Sequence, residues 1–154
     1  MEGKVLKTTD GWATNSDVSP TNVTTNWYGM FVVDATHLYL CGEGGAIYYS
    51  DDSGATWAAK TSGVTTDLYA ITGISDEYVA VGAGGVVLDS TDGTTWTAKT
   101  SGVAVDLLAV TAFEGTPDIW IACGESGTVI TSADGDTWAD KSVSGVTATL
   151  RGVS

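Results

Sequence analysis

Positive charge is scarce in this sequence. Its 154 residues carry six Lys and Arg side chains against 19 Asp and Glu, a formal charge of −13, and Arg151 is the only arginine. A chain this acidic repels phosphate backbones and anionic bilayers, which excludes nucleic acid and membrane surfaces as partners. The acids are scattered through turns rather than gathered in a block, so they serve solubility and do not form an acidic tail. One histidine, His37, falling in a loop before a strand, leaves little for Ser-His-Asp, Cys-His or metal chemistry. The N-terminal residues lead into no apolar stretch of a secretion signal, and no run reaches membrane-spanning length. The expected location is therefore cytoplasmic or virion-associated.

Cysteine is also sparse. Cys41 and Cys123 each precede a glycine at the same point of a repeat, where the middle repeat has Val81. Equivalent points of different repeats are well separated, so no disulfide is expected and both read as small buried hydrophobes. Proline is limited to two residues, Gly is heavy at 20, and the strand-like runs favour Val, Ile, Thr and Tyr, so an all-β fold is expected, in a chain long enough for one domain with its own core.

One motif organises the chain. Ser50-Asp51-Asp52-Ser53-Gly54-Ala55-Thr56-Trp57 returns, one residue shorter, as Ser90 to Trp96 (Ser90, Asp92, Gly93, Thr95, Trp96) and Ser132 to Trp138 (Ser132, Asp134, Gly135, Thr137, Trp138). A degenerate copy holds Asp10, Gly11 and Trp12. An Asp near a Gly is turn chemistry: the carboxylate accepts nearby backbone N–H groups, Gly supplies positive φ, and the Ser or Thr two residues earlier does the same more weakly. The Trp drops back onto a core and pins the corner. A reading of Asp52, Asp92 and Asp134 as acids or metal ligands competes with this structural one, which is preferred because the residues recur wherever the repeat needs a corner. Calcium binding at Asp51 and Asp52, or at Asp134 and Asp136, is a weaker alternative.

The motif spacing, 39 residues from Trp57 to Trp96 and 42 from Trp96 to Trp138, is that of propeller blades. Each unit shows four strand-like runs, with a Gly-rich turn (Gly42 to Gly45, Gly82 to Gly85, Gly124 to Gly127) between the second and third. No helix follows these glycines, so they are not phosphate loops. Apolar pairs such as Val87-Leu88 and Val129-Ile130 predict strands buried on both faces. Lys60, Lys99 and Lys141 share one repeat position and are expected to pair with the repeat-locked Asp67 and Asp106. The layout is a half blade over 1–25, full repeats over 26–66, 67–105 and 106–148, and a closing strand over 149–154. The fold class is thus a small all-β propeller of about four blades, each of four antiparallel strands, with one blade split between the chain ends. The split blade could close within one chain, or a partner chain could supply what it lacks.

These residues resemble the Asp-box (bacterial neuraminidase repeat) β-propellers over nearly the whole chain. The pattern G-x-V-L-x-S/T-x-D-G-x-T-W, followed by Ser-Gly-Val and a short Leu-Tyr-Ala-Ile or Leu-Leu-Ala-Val run, is closest to the photosystem-assembly-factor-like branch. That resemblance implies seven-bladed binding platforms, whereas this chain has blades for about four. Sialidases of the Asp-box group grip a substrate carboxylate with three arginines, and Arg151 alone cannot do so. The expectation is a non-enzymatic structural or interaction module without cofactors or metals. It would associate with copies of itself or another protein through the split blade, as in a virion or other assembly. The runner-up is a glycan-binding propeller using Tyr28, Tyr48, Tyr49 and Trp120 as stacking platforms.

Overall fold

The computed structural model describes residues 4–10 and 13–154, so Gly11 and Trp12 of the degenerate first motif lie outside the described residues. Valines, tyrosines and isoleucines in short runs fold into antiparallel ladders. A hairpin of β1 (Leu6–Lys7) and β2 (Ser16–Asp17) comes first. Blade 1 follows, with β3 (Trp27–Val32), β4 (Leu38–Gly42), β5 (Ile47–Ser50) and β6 (Ala58–Lys60) side by side in chain order. Blade 2 repeats this with β7 (Leu68–Ile74), β8 (Glu77–Gly82), β9 (Val87–Ser90) and β10 (Thr97–Lys99). Blade 3 does so with β11 (Leu107–Phe113), β12 (Ile119–Gly124), β13 (Val129–Ser132) and β14 (Trp138–Asp140). The expected all-β architecture of four-stranded antiparallel blades is present. Among the described residues no helix is long and apolar enough to cross a membrane.

The core lies between blades, because a strand points successive side chains to opposite faces. In blade 2, Tyr78, Ala80 and Leu88 pack with Tyr39, Cys41 and Ile47 of blade 1. Their neighbours Val79, Val81 and Val87 pack with Leu107, Val110 and Trp120 of blade 3. Both Val87 and Leu88 are fully buried, as their adjacency predicts. Each such side chain contributes about 1.5–3 kcal/mol by leaving water, so the junctions hold the blades in a stack.

Each second strand turns into the third through a single 3-10 turn: Glu43–Gly45, Ala83–Gly85 and Glu125–Gly127. Just before it, Gly82 lies so close to the first strand that a Cβ there would sit 2.0 Å from the Asp67 carbonyl oxygen. This close approach lets Ala83 N–H donate to that same carbonyl at 2.9 Å. The first strand of every blade carries a bulge, where Tyr28, Tyr69 or Leu108 is the extra residue. A bulge re-aims one side chain and sharpens the local twist.

Two expectations need correction. The segment 149–154 forms no strand; it lies along blade 3 through one backbone bond, Leu150 N–H to Gly124 O at 2.8 Å, with no ladder beside it. The lysines do not pair with Asp67 and Asp106. Those carboxylates instead accept the Gly44 and Gly84 N–H groups of the preceding blade, at 2.9 and 2.8 Å, which the exposed turn amides offer at shorter reach.

Candidate interaction surface

The turn motifs spend their carboxylates locally. Asp52 Oδ1 accepts the Thr56 N–H at 2.8 Å and the Ser50 hydroxyl at 2.9 Å, while Oδ2 accepts the Thr56 hydroxyl at 2.7 Å. Ser50 Oγ accepts the Gly54 N–H at 2.8 Å. Asp92 takes the N–H groups of Thr94 and Thr95, each at 2.7 Å, and Asp134 those of Asp136 and Thr137 at 3.1 and 2.8 Å. Ser90 and Ser132 donate to Asp92 and Asp134 as Ser50 does to Asp52. Asp10 accepts the Thr14 N–H at 2.9 Å, and the hydroxyls of Thr14 and Thr8. These bonds favour the anion: Asp10, Asp52 and Asp92 are held down to about 2, chiefly by Thr14, Thr56 and Thr95, and Asp134 is lowered chiefly by Thr137. Anchored anions of this kind are poor proton donors. Among the described residues no group of three or more His, Cys, Asp or Glu is placed to hold a metal.

The tryptophans of the three full motifs face the preceding unit or their own turn. Trp57 Nε1 donates to Val18 O at 2.6 Å, and Trp138 Nε1 to Gly135 O at 2.9 Å. Trp96 is buried, edge-on to Tyr39 of blade 1 with ring centroids 6.3 Å apart. His37 lies in the loop between β3 and β4, where its Nδ1 meets Asp34 Oδ2 at 2.7 Å and its ring stacks on Tyr49. Cys41 and Cys123 are free and buried, and desolvation pushes the Cys41 thiol up to about 12 and raises that of Cys123.

The aromatic platforms fare unevenly. Trp120 is fully buried at the blade 2–blade 3 junction and cannot stack on a ligand, which corrects that expectation. Tyr48 packs edge-on to Trp27 at 5.2 Å, and Tyr49 lies against Tyr39 at 4.9 Å. Tyr28 is exposed, its ring tilted against Tyr69 of blade 2 at 5.6 Å, at the margin of a larger apolar surface.

That surface is the face of blade 1 turned away from blade 2. At the two inner junctions the equivalent first-strand residues Ile71 and Val110 are 6% and 9% exposed, covered by the blade before them. Their counterpart Met30 is 53% exposed, with Val32 open beside it. The β1–β2 hairpin covers only the outer part of this face: Val18 meets Gly54 and Trp57, and Lys7 Nζ donates to Ser53 O at 3.2 Å. Between hairpin and β3 runs an apolar groove with one hollow of about 250 Å³, lined by Leu6, Val18, Met30, Val32, Leu38 and Trp57. A second hollow of about 200 Å³ continues it past Trp27, Tyr28 and Leu40. The repeat alignment holds the signal for this groove, since the third and fourth runs precede blade 1 without a first and second run.

No protein-family model matches the chain, and no curated protein matches it in sequence. Solved structures do. YCF48 bound to D1 peptide is similar over 93% of this chain and 49% of its own, with a TM-score of 0.69 and 13% identity. YCF48 from Cyanidioschyzon merolae is similar over 79% of this chain and 38% of its own, with a TM-score of 0.65 and 22% identity. The chain therefore has the Asp-box propeller fold of YCF48 and spans half or less of the length of these structures.

Proposed function

We propose that this chain is a non-catalytic protein-binding module that associates with further copies of itself by filling the groove beside β3. The observation that carries this is the exposure of Met30, 53% against 6% and 9% at the two equivalent positions. A preceding blade would lay a first strand against that face, as blades 1 and 2 do for the blades after them. Segment 149–153 has the residues of such a strand: Leu150, Gly152 and Val153 stand where Leu68, Ala70 and Ile71 do. It already rests on blade 3, with Cys123 Sγ within 3.6 Å of Gly152 O. A second copy can therefore present it to the hairpin, head to tail, with strand addition supplying the affinity.

The fold comparison is consistent with this geometry. This chain follows 93% of its length along 49% of the longer solved chain, so two such arcs would match that chain in length. YCF48, on the same fold, has been solved with a D1 peptide bound, a precedent for polypeptide recognition. The motif carboxylates, each committed to its own turn, leave the groove as the surface with most to gain from a partner.

Light scattering across a concentration range tests the reading. The expected result is a discrete dimer or larger ring that falls to 15.8 kDa in Met30→Asp and on deletion of 149–154. A monomer at every concentration in the parent chain overturns it.

A further inference from the structure

The two inner junctions of the stack half-bury the same lysine position and treat it differently. Lys99 of β10 is clamped by two carboxylates: Asp89 Oδ2 of its own blade at 3.5 Å, and Asp136 from the motif of blade 3. Lys60 of β6 holds the same register, opposite Ile47 as Lys99 is opposite Val87. Both of its clamps are missing. Tyr49, one residue before Ser50, stands where Asp89 precedes Ser90, and Thr94, two residues after Asp92, stands where Asp136 follows Asp134. Among the described residues Lys60 forms no ion pair, and its ammonium lies 5.0 Å from the centre of the Tyr49 ring.

The place of the missing carboxylates is open. A cleft of about 340 Å³ lies there, lined by Lys60, Thr94, Tyr49, Tyr39, Tyr78 and His37 together with Asp34, Asp76 and Asp92. Two of these acids are committed elsewhere. Asp34 accepts Thr36 N–H, His37 N–H and the His37 ring, and Asp92 accepts the amides of its own turn. Asp76 stands in a tight turn at φ +65, and among the described residues it takes no such set of donors. Burial raises the phenols of Tyr39, Tyr49 and Tyr78, which keeps them neutral; Tyr39 donates its proton to Gly93 O at 3.4 Å, so Tyr49 and Tyr78 are the hydroxyl donors left to the cleft. The cleft thus joins in one lining an ammonium without a carboxylate partner, phenol hydroxyls and the carboxylate of Asp76.

We infer that this cleft binds a small zwitterion of the α-amino acid class. The ligand's carboxylate takes the position that Asp89 and Asp136 fill around Lys99, and its ammonium faces Asp76. Net charge favours a zwitterion over a simple acid, because a chain at −13 repels anions at long range and leaves an uncharged ligand unaffected. The volume suits a ligand of modest side chain, held by a few placed polar groups in a partly aromatic cleft. This site shares only Asp34 with the lining of the groove beside β3, and the inference does not depend on association.

The test is an NMR titration of the intact chain, following His37, Tyr49 and Tyr78 signals. Glycine, L-glutamine and L-phenylalanine are compared with acetate and methylammonium, which carry one charged end each. The expected result is saturable shifts from at least one amino acid, and at least tenfold weaker binding by acetate and methylammonium. Lys60→Gln should weaken binding tenfold or more. Thr94→Asp, which restores an internal carboxylate for Lys60, should abolish it while leaving the fold intact. No saturable shift from any amino acid, equal binding by acetate, or undiminished binding by Lys60→Gln overturns the inference.

Discussion

The carboxylate of Asp67 crosses the boundary between blades 1 and 2 to accept the Gly44 N–H at 2.9 Å. Asp106 repeats the bond one junction on, taking Gly84 N–H at 2.8 Å, and also accepts the Tyr69 hydroxyl at 3.3 Å. These bonds tie the turn of one blade to the entry of the next, alongside the apolar junction core. Asp67→Ala should lower unfolding free energy by about 0.5–1.5 kcal/mol, and Asp106→Ala by somewhat more because it also strands a tyrosine hydroxyl. Urea denaturation measures both. Asn at either position retains an acceptor and should recover much of the loss.

Acid should loosen the turns before the junctions. Asp10, Asp52 and Asp92 are held down to about 2 in the folded chain, below the value of 3.8 they regain on unfolding. A depressed folded value means the unfolded chain binds protons first. The stabilisation is complete above about pH 4 and fades as pH falls through 2. Melting temperature should drop steeply across that window, and Asp52→Asn together with Asp92→Asn should flatten the slope. An unchanged slope in the double variant would remove these carboxylates from the explanation.

Glu77 should act in the opposite direction. Desolvation, then the charge of Asp89, raises its carboxyl above the ordinary value, and Asp89 is itself raised by desolvation with one oxygen, Oδ1, buried and unpartnered. A raised folded value means the folded chain binds the proton more tightly, so ionisation costs stability as pH climbs above about 4.5. Glu77→Gln should therefore be more stable than the parent at pH 7, with the advantage shrinking towards pH 4. Denaturation curves at the two pH values decide it.

The fold is largely readable from sequence because its signals are short-range and repeated. Alternating apolar residues, a Gly-rich turn and a motif at blade spacing occur three times in register. Bonds inside a motif join residues two to four apart, a spacing visible in any sequence. The junction chemistry is not readable in this way. Lys99 and Asp136 lie 37 residues apart, and Tyr39 and Gly93 lie 54 apart, so their meeting depends on the rotation between blades. The expected pairing of Lys60 and Lys99 with Asp67 and Asp106 takes acids at the wrong end of the strands. The turn amides of Gly44 and Gly84, which satisfy those acids, carry no side-chain signal. Trp120 resembles a platform because its strand position alternates, yet neighbours on both sides bury it.

Gly93 gives a direct test of how tightly one junction is packed. Its φ of +64 already disfavours any L side chain, and a Cβ there would fall 1.8 Å from the hydroxyl oxygen of Tyr39. That tyrosine cannot swing aside easily. It is 4% exposed, its ring is 4.9 Å from those of Tyr49 and Tyr78, and Trp96 closes on its edge. Gly63 provides the control, with φ +77 and nothing within 4 Å of the place a Cβ would take. Gly63→Ala should cost only the left-handed backbone strain, about 1–2 kcal/mol. Gly93→Ala adds overpacking worth about 1–3 kcal/mol, so its total should exceed the control clearly in urea denaturation. Trimming the tyrosine in the double variant Tyr39→Phe, Gly93→Ala should return part of the difference, because the clashing atom is the hydroxyl oxygen itself. Equal losses in Gly63→Ala and Gly93→Ala would mean that the blade 1–blade 2 junction yields at this point, and that Tyr39 does not set the spacing between the blades.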